Sequence, residues 1–86
     1  IKSGIISITS YLSKYYKNYN IKVNSISPGG IKEKQHPLFS KNYRKSCNFK
    51  GLLDPKDLVG TIIFLLSDQS KYLNGQNLIV DDGWSL

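Results

Sequence analysis

Apolar residues along this chain follow two different periods, and the change from one to the other divides it into elements. Ile5, Ile8, Leu12, Tyr15, Tyr16 and Tyr19 recur three or four residues apart, with Lys14 and Lys17 among them. That spacing lines one face of a helix and predicts an amphipathic helix from Lys2 to Lys17, ended by Asn18 and Asn20. Ile21 to Ile26 is rich in β-branched residues and predicts a strand. Pro28, which supplies no backbone donor, closes it, and Gly29 and Gly30 follow. Periodicity then fades into a loop that reaches Leu53. Asp54-Pro55-Lys56-Asp57 announces a second helix, with Asp54 as N-cap and Pro55 in the first turn, running to about Leu66. Leu58, Val59 and Ile62 to Leu66 cover so much of its circumference that burial is predicted. Tyr72-Leu73-Asn74-Gly75 reads as a turn, Gln76 to Val80 as a last strand, and Asp81-Asp82-Gly83 closes it.

Helix, strand, long loop, helix, strand is the alternation of an α/β fold, a parallel sheet covered by helices. Parallel strands are normally buried on both faces, so two of them need neighbours that these residues do not supply. The expectation is an incomplete α/β domain with a ligand loop after its first strand, since open α/β sheets bind ligands at the carboxyl ends of their strands.

Composition changes this picture in three ways. The 86 residues, 40% apolar and 21% charged, suit one small globular unit or part of a larger one. With no methionine and a start that reads as the body of a helix, a fragment lacking its N-terminal part is expected. The lone Cys47 has no disulfide partner within the chain and no metal-ligand spacing, which favours an inert thiol, a reducing cytoplasmic setting and no metal. No apolar stretch approaches the roughly 20 residues of a membrane span, and the N-terminus has no signal-peptide pattern.

The net charge of +6 is unevenly spread: Lys32, Lys34, Lys41, Arg44, Lys45 and Lys50 lie between Ile31 and Leu53 against Glu33 alone. With Phe39, Tyr43 and Phe49 interleaved, such a loop has the raw materials for phosphate contacts and base stacking, but no recognised nucleic-acid module surrounds it, and the reading is against nucleic acid. A solvated surface loop and a lid that favours an anionic substrate remain.

Four blocks in order carry a family resemblance: Lys2-Ser3-Gly4-Ile5-Ile6; Ile21-Lys22-Val23-Asn24-Ser25-Ile26-Ser27-Pro28-Gly29-Gly30; Asp54-Pro55-Lys56-Asp57-Leu58; and Phe64-Leu65-Leu66-Ser67-Asp68 with Tyr72 to Asp81. The chain resembles the C-terminal part of the short-chain dehydrogenase/reductase family, nearly throughout except from Lys32 to Lys50. The resemblance implies that residues 1–86 are the C-terminal part of a single doubly wound, parallel-sheet Rossmann-type domain, with 32–53 as its variable substrate loop. It implies hydride transfer between NAD or NADP and an alcohol or carbonyl substrate, a small molecule of sugar-derived kind, and the basic character of that loop points to an acidic one. Members of sugar-acid and flagellin-modification pathways are similar.

Lys2 takes the lysine position of the family's Tyr-x-x-x-Lys pair, the tyrosine falling before Ile1 with two residues between. Four-residue spacing puts both on one helical face, where the ammonium lowers the phenol pKa and bonds the nicotinamide ribose. Lys2 is thus the implied catalytic and cofactor-binding residue, and Pro28, Gly29, Gly30 and Ile31 form the implied loop beside the nicotinamide. The phosphate-binding glycines, the catalytic serine and the tyrosine would lie upstream, so the chain alone is expected to be inactive. Three departures stand out: Lys32-Glu33-Lys34 where many members place a cofactor-contacting threonine, Lys22 where arginine is commoner, and Asp82 for the first glycine of Asp-Gly-Gly. The resemblance also implies a homo-oligomer, dimer or tetramer, joined through the first helix and the last helix with its strand. The rival readings are a non-enzymatic basic interaction module and an inactive homologue with an assembly role.

Overall fold

A computed structural model describes residues 2–86, Lys2 only as the first residue of its helix. Its main elements are α1 (Lys2–Tyr15), β1 (Ser25–Pro28), α2 (Pro37–Lys45), α3 (Val59–Leu66) and β2 (Asn77–Val80), with 3₁₀ turns at Lys17–Tyr19, Pro55–Leu58 and Asp68–Ser70. β1 and β2 pair as parallel strands in a two-stranded sheet. The α/β class follows as expected. The chain divides into two compact units, 1–27 with 61–78 and 28–60 with 79–86.

In the first unit, α1 stops at Tyr15, two residues earlier than the periodicity predicts, because the chain tightens into the 3₁₀ turn and leaves it through Asn20 in the left-handed region at φ 56°. Among the described residues of α1, Thr9 and Ser13 are buried, whereas Ile5, Ile8, Tyr11 and Tyr15 are exposed. Burying the hydroxyls carries little penalty because each bonds back to its own helix: Thr9 Oγ1 donates to the Ile5 carbonyl at 2.7 Å and Ser13 Oγ to that of Ser10 at 3.2 Å. Their small size also admits the turn at Gly75, where an added Cβ would lie 2.7 Å from Ser13 Oγ.

β1 begins at Ser25, later than expected, because over residues 23–24 side-chain amides take over much of the ladder, beside a backbone bond from the Gly75 N–H to the Val23 carbonyl at 2.8 Å. Asn74 Oδ1 accepts from the Val23 N–H at 3.0 Å, and Asn24 donates through Nδ2 to the Leu73 carbonyl at 2.8 Å while its Oδ1 accepts from the Gln76 N–H at 3.0 Å. Ser25 and Ser27, on one face of the strand, both donate to Asn77 Oδ1. Lys22 Nζ donates to the Ser70 carbonyl at 3.1 Å, giving this departure a structural partner.

In the second unit, the segment expected to be irregular contains α2. His36 caps it, its Nδ1 accepting from the Leu38 N–H at 3.0 Å, and Pro37 occupies the first turn. Its apolar residues are too few to show as a period: only Phe39 and Tyr43 share a face at i, i+4. Pro28, expected to break the strand, is instead its last residue. Ser25 and Gly29 donate to the β2 side, at Gln76 and Val80, so by alternation the nitrogen of Pro28 faces away from the ladder. Leu52 and Leu53 are the buried hydrophobic residues here.

The second predicted helix starts at Asp54 with a capping box formed with Asp57, but its first turn is 3₁₀ and α3 proper begins at Val59. The expected burial of α3 is not met by these residues: Ile62, Ile63, Phe64 and Leu66 are exposed. No helix among the described residues is long and apolar enough to cross a membrane.

Gly75 has φ 72° and abuts Ser13. Gly75→Ala in the full-length protein should therefore cost about 1 kcal/mol or more of stability, read as a lower denaturation midpoint, and pairing it with Ser13→Gly should recover part of the loss.

Candidate functional site

The loop after β1 is held by three separate segments. Gly29 N–H donates to the Val80 carbonyl at 2.8 Å, Gly30 N–H donates to the Tyr43 hydroxyl at 2.7 Å, and the Gly30 carbonyl accepts from Leu53 N–H at 2.8 Å. Lys32 N–H then donates to the Leu53 carbonyl, completing a parallel bridge between Ile31 and Leu53. A Cβ on Gly29 would lie 2.7 Å from Asp81 Cβ, and one on Gly30 would lie 2.6 Å from Leu52 Cδ2 and 3.0 Å from Tyr43 Cζ. Both glycines are thus required by the protein's own packing.

In a parallel bridge of this kind the flanking residues bond the partner, so the amide and carbonyl of Ile31 point the other way. The Ile31 carbonyl accepts from Gln35 Nε2 at 2.9 Å. The Ile31 N–H makes no hydrogen bond among the described residues and is a backbone donor aimed away from the Leu53 segment. Of the four expected loop residues, then, Pro28 has no donor, Gly29 and Gly30 have theirs committed, and Ile31 offers one. The side chain of Lys2 lies outside the described residues.

The basic segment surrounds α2. One cavity of about 310 Å³ is lined by Lys32, Ser40, Lys41, Arg44, Lys50, Leu52 and Asp54, and another of about 400 Å³ by Lys41, Arg44, Lys45, Cys47, Asn48 and Phe49. Lys41 and Arg44 belong to both. Lys50 is already neutralised: Nζ bonds Asp54 at 2.9 Å and also Asp57, which raises its own pKa and holds both carboxyls below their ordinary range. Among the described residues the other cations lining these cavities, Lys32, Lys41, Arg44 and Lys45, form no salt bridge, and the charge of Arg44 acts on Asp82. Tyr43 is not displayed for stacking on a ligand, because its ring stacks on Trp84 at 5.7 Å and meets Phe39 at 6.0 Å.

Two residues of this site acquire roles that sequence reasoning did not assign. Tyr43 is the acceptor for the Gly30 amide, for which the sequence carries no signal. Asp82 receives the amides of Phe49, Lys50 and Gly51 on its carboxylate, at 3.1 Å from Phe49 and 2.8 Å from Gly51. The amides of Gly51, Lys50 and Phe49, followed by the charge of Arg44, hold the Asp82 carboxyl below its ordinary pKa. The replacement of a glycine was its visible signal, and the positive φ of 53° explains why glycine suits the position. Cys47 is half-buried, and burial, then Asp82 and Asp81, push its thiol up, away from the reactive thiolate. Among the described residues no group of His, Cys, Asp and Glu is arranged to hold a metal.

Against this geometry, known proteins are informative. Residues 1–85 match the family model described as Enoyl-(Acyl carrier protein) reductase, and the chain belongs to the short-chain dehydrogenase/reductase family. It is 50% identical over 86 residues to Post-translational flagellin modification protein A of Campylobacter coli, covering 100% of this chain and 34% of that one. It is 34% identical over 91 residues to the ribulose-forming D-arabinitol 2-dehydrogenase of Candida tropicalis, covering 96% and 32%. Among solved structures, a short-chain dehydrogenase from Leptospira borgpetersenii with bound NAD+ superposes with a TM-score of 0.94 at 45% identity, covering 99% of this chain and 34% of that one. The chain spans about a third of the length of the relatives it matches.

Two outcomes follow from the site's packing. Gly30→Ala should destabilise the full-length protein by about 1–3 kcal/mol, whereas Tyr43→Phe, losing only the hydroxyl, should cost about 1 kcal/mol; both are read by denaturant unfolding. Because the folded-state pKa values of Asp54, Asp57 and Asp82 lie below those of the unfolded chain, their stabilisation is present above about pH 3.9 and is lost as pH falls through the lower folded values. Midpoints measured between pH 2 and 6 should fall on the acid side, and Asp82→Asn should make that fall shallower.

Proposed function

We propose that the full-length protein is an NAD(P)-dependent oxidoreductase that interconverts an alcohol and a carbonyl on a sugar-derived or polyol substrate carrying an anionic group. Residues 1–86 form the C-terminal part of its Rossmann-type domain. The observation that carries this reading is the Ile31 amide: in a loop whose other donors are absent or committed, one donor remains directed away from the protein's own ladder, suited to a carboxamide oxygen. The residues present therefore fit one edge of a nicotinamide. NAD and NADP are equally compatible with this edge, since the groups that would choose between them belong to the upstream part of the domain.

In the reaction, the bound nicotinamide supplies or accepts the hydride. Lys2, at the head of α1, holds the ribose and keeps the upstream tyrosine's phenol acidic enough to give or take the substrate's hydroxyl proton near neutral pH. Lys41 and Arg44, the cations that line both cavities of the loop, attract the substrate's anionic group. The sugar and polyol character rests on relatives such as the D-arabinitol 2-dehydrogenase. The exposed apolar residues of α1 and α3 support assembly as a dimer or tetramer and, with the short span of the family match, speak against a self-sufficient interaction module.

The test uses D-arabinitol and its acid counterpart D-arabinonate with NAD+ or NADP+ and the full-length protein. Lys2→Ala should lower kcat at least about 100-fold. Lys41→Glu combined with Arg44→Glu should raise KM for D-arabinonate about tenfold, with little change for D-arabinitol. Equal effects on both substrates would sink the anionic-substrate reading, and calorimetric detection of tight NAD binding by residues 1–86 alone would contradict the assignment of activity to the longer protein.

A further inference from the structure

Four consecutive amides of the basic loop are received by one residue. The Asp82 carbonyl accepts from Asn48 N–H at 2.8 Å, and its carboxylate accepts from Phe49, Lys50 and Gly51. This arrangement is built at a steric cost, since Asp82 stands at φ 53°, where an L side chain is crowded and glycine is not. Gly51 at φ 92° and Gly83 at φ 82° complete it: a Cβ on Gly51 would lie 3.0 Å from Arg44 Cβ, and one on Gly83 would lie 2.6 Å from Asn48 Nδ2. A turn needing only its backbone path would be served better by glycine at 82. An aspartate there makes sense if the carboxylate's hold on the loop is what is retained.

The held segment is the edge of the basic cavities. Asn48 and Phe49 line one and Lys50 the other, Arg44 lies against Gly51, and Lys50 reaches from the clamped backbone to Asp54 and Asp57 at the start of the next helical turn. We propose that Asp82 is a positioning residue: it fixes residues 48–51, and with them Arg44 and the wall of the cavity, in the arrangement that binds the substrate. It acts on substrate affinity without touching the cofactor or the reacting atoms. This rests on the reading of residues 32–53 as the substrate loop of an oxidoreductase.

Asp82→Asn and Asp82→Gly in the full-length protein separate the possibilities. Both remove the anion, and the glycine also relieves the positive φ. Amide exchange in a peptide covering residues 47–52 should quicken about tenfold in both variants, as expected for losing charge-assisted hydrogen bonds. KM for D-arabinitol or D-arabinonate should rise about tenfold on the same basis, with kcat and the KM for the dinucleotide unchanged. Asp82→Glu, which restores the charge, should recover part of the substrate KM. Unchanged exchange would overturn the clamp. Faster exchange with an unchanged substrate KM, or an equal loss in kcat and both KM values, would reduce Asp82 to a general structural residue and overturn the proposal. A wild-type protein that oxidises neither probe with either dinucleotide would refute the oxidoreductase reading and the proposal with it. Wild-type turnover with an unaffected KM in the variants would refute the proposal alone.

Discussion

Much of the second unit depends on how closely other segments approach the backbone at Gly29 and Gly30. β2 bonds the first amide, the Tyr43 hydroxyl accepts the second, and the Leu53 amide reaches the carbonyl between them and Ile31. Each contact needs a backbone with nothing on its near side, and the hypothetical Cβ positions fall inside van der Waals distance of Asp81, Leu52 and Tyr43. The glycines bring the protein's own segments together. Once the flanking groups are committed, the Ile31 amide is left facing away from the Leu53 segment, so packing on one side of the loop decides which backbone groups remain on the other.

Asp82 applies the same principle to charge. An anion half-exposed at a chain turn would ordinarily contribute little, but here it collects successive backbone donors from a segment 31 to 33 residues away, and the hydrogen bonds stabilise its ionised form. Lys50 carries the connection onward to Asp54 and Asp57. A strongly basic segment is thereby organised by three carboxylates at one end, while Lys41 and Arg44 line both cavities.

The distribution of apolar surface has a different logic. α1 buries two hydroxyl residues and exposes isoleucines and tyrosines, and α3 exposes most of an almost entirely apolar helix. Hydroxyls that bond their own helix cost little to bury, so Thr9 and Ser13 make a thin contact face on which Gly75 can sit. The isoleucines and tyrosines of α1 and the apolar face of α3 are spacings that call for further protein, consistent with a chain that spans a third of its relatives' length.

The order of elements, the loop after the first strand and the Asp54-Pro55 helix start were all legible in the sequence, because periodicity, proline and capping act over a few residues. α2 was not, since Phe39 and Tyr43 are too few to make a period, nor was the side-chain ladder of Asn24 and Asn74, which supplements the backbone pairing with chemistry from about 50 residues away. The family was legible too, through four ordered blocks. What the tertiary structure alone decided is which partner each group meets: Tyr43 for Gly30, four loop amides for Asp82, Ser13 for Gly75, and an outward amide for Ile31. Local sequence sets a residue's conformational preferences, whereas hydrogen-bond commitment and close approach belong to pairs of segments distant in the chain, and they exist only once the chain has brought those segments together.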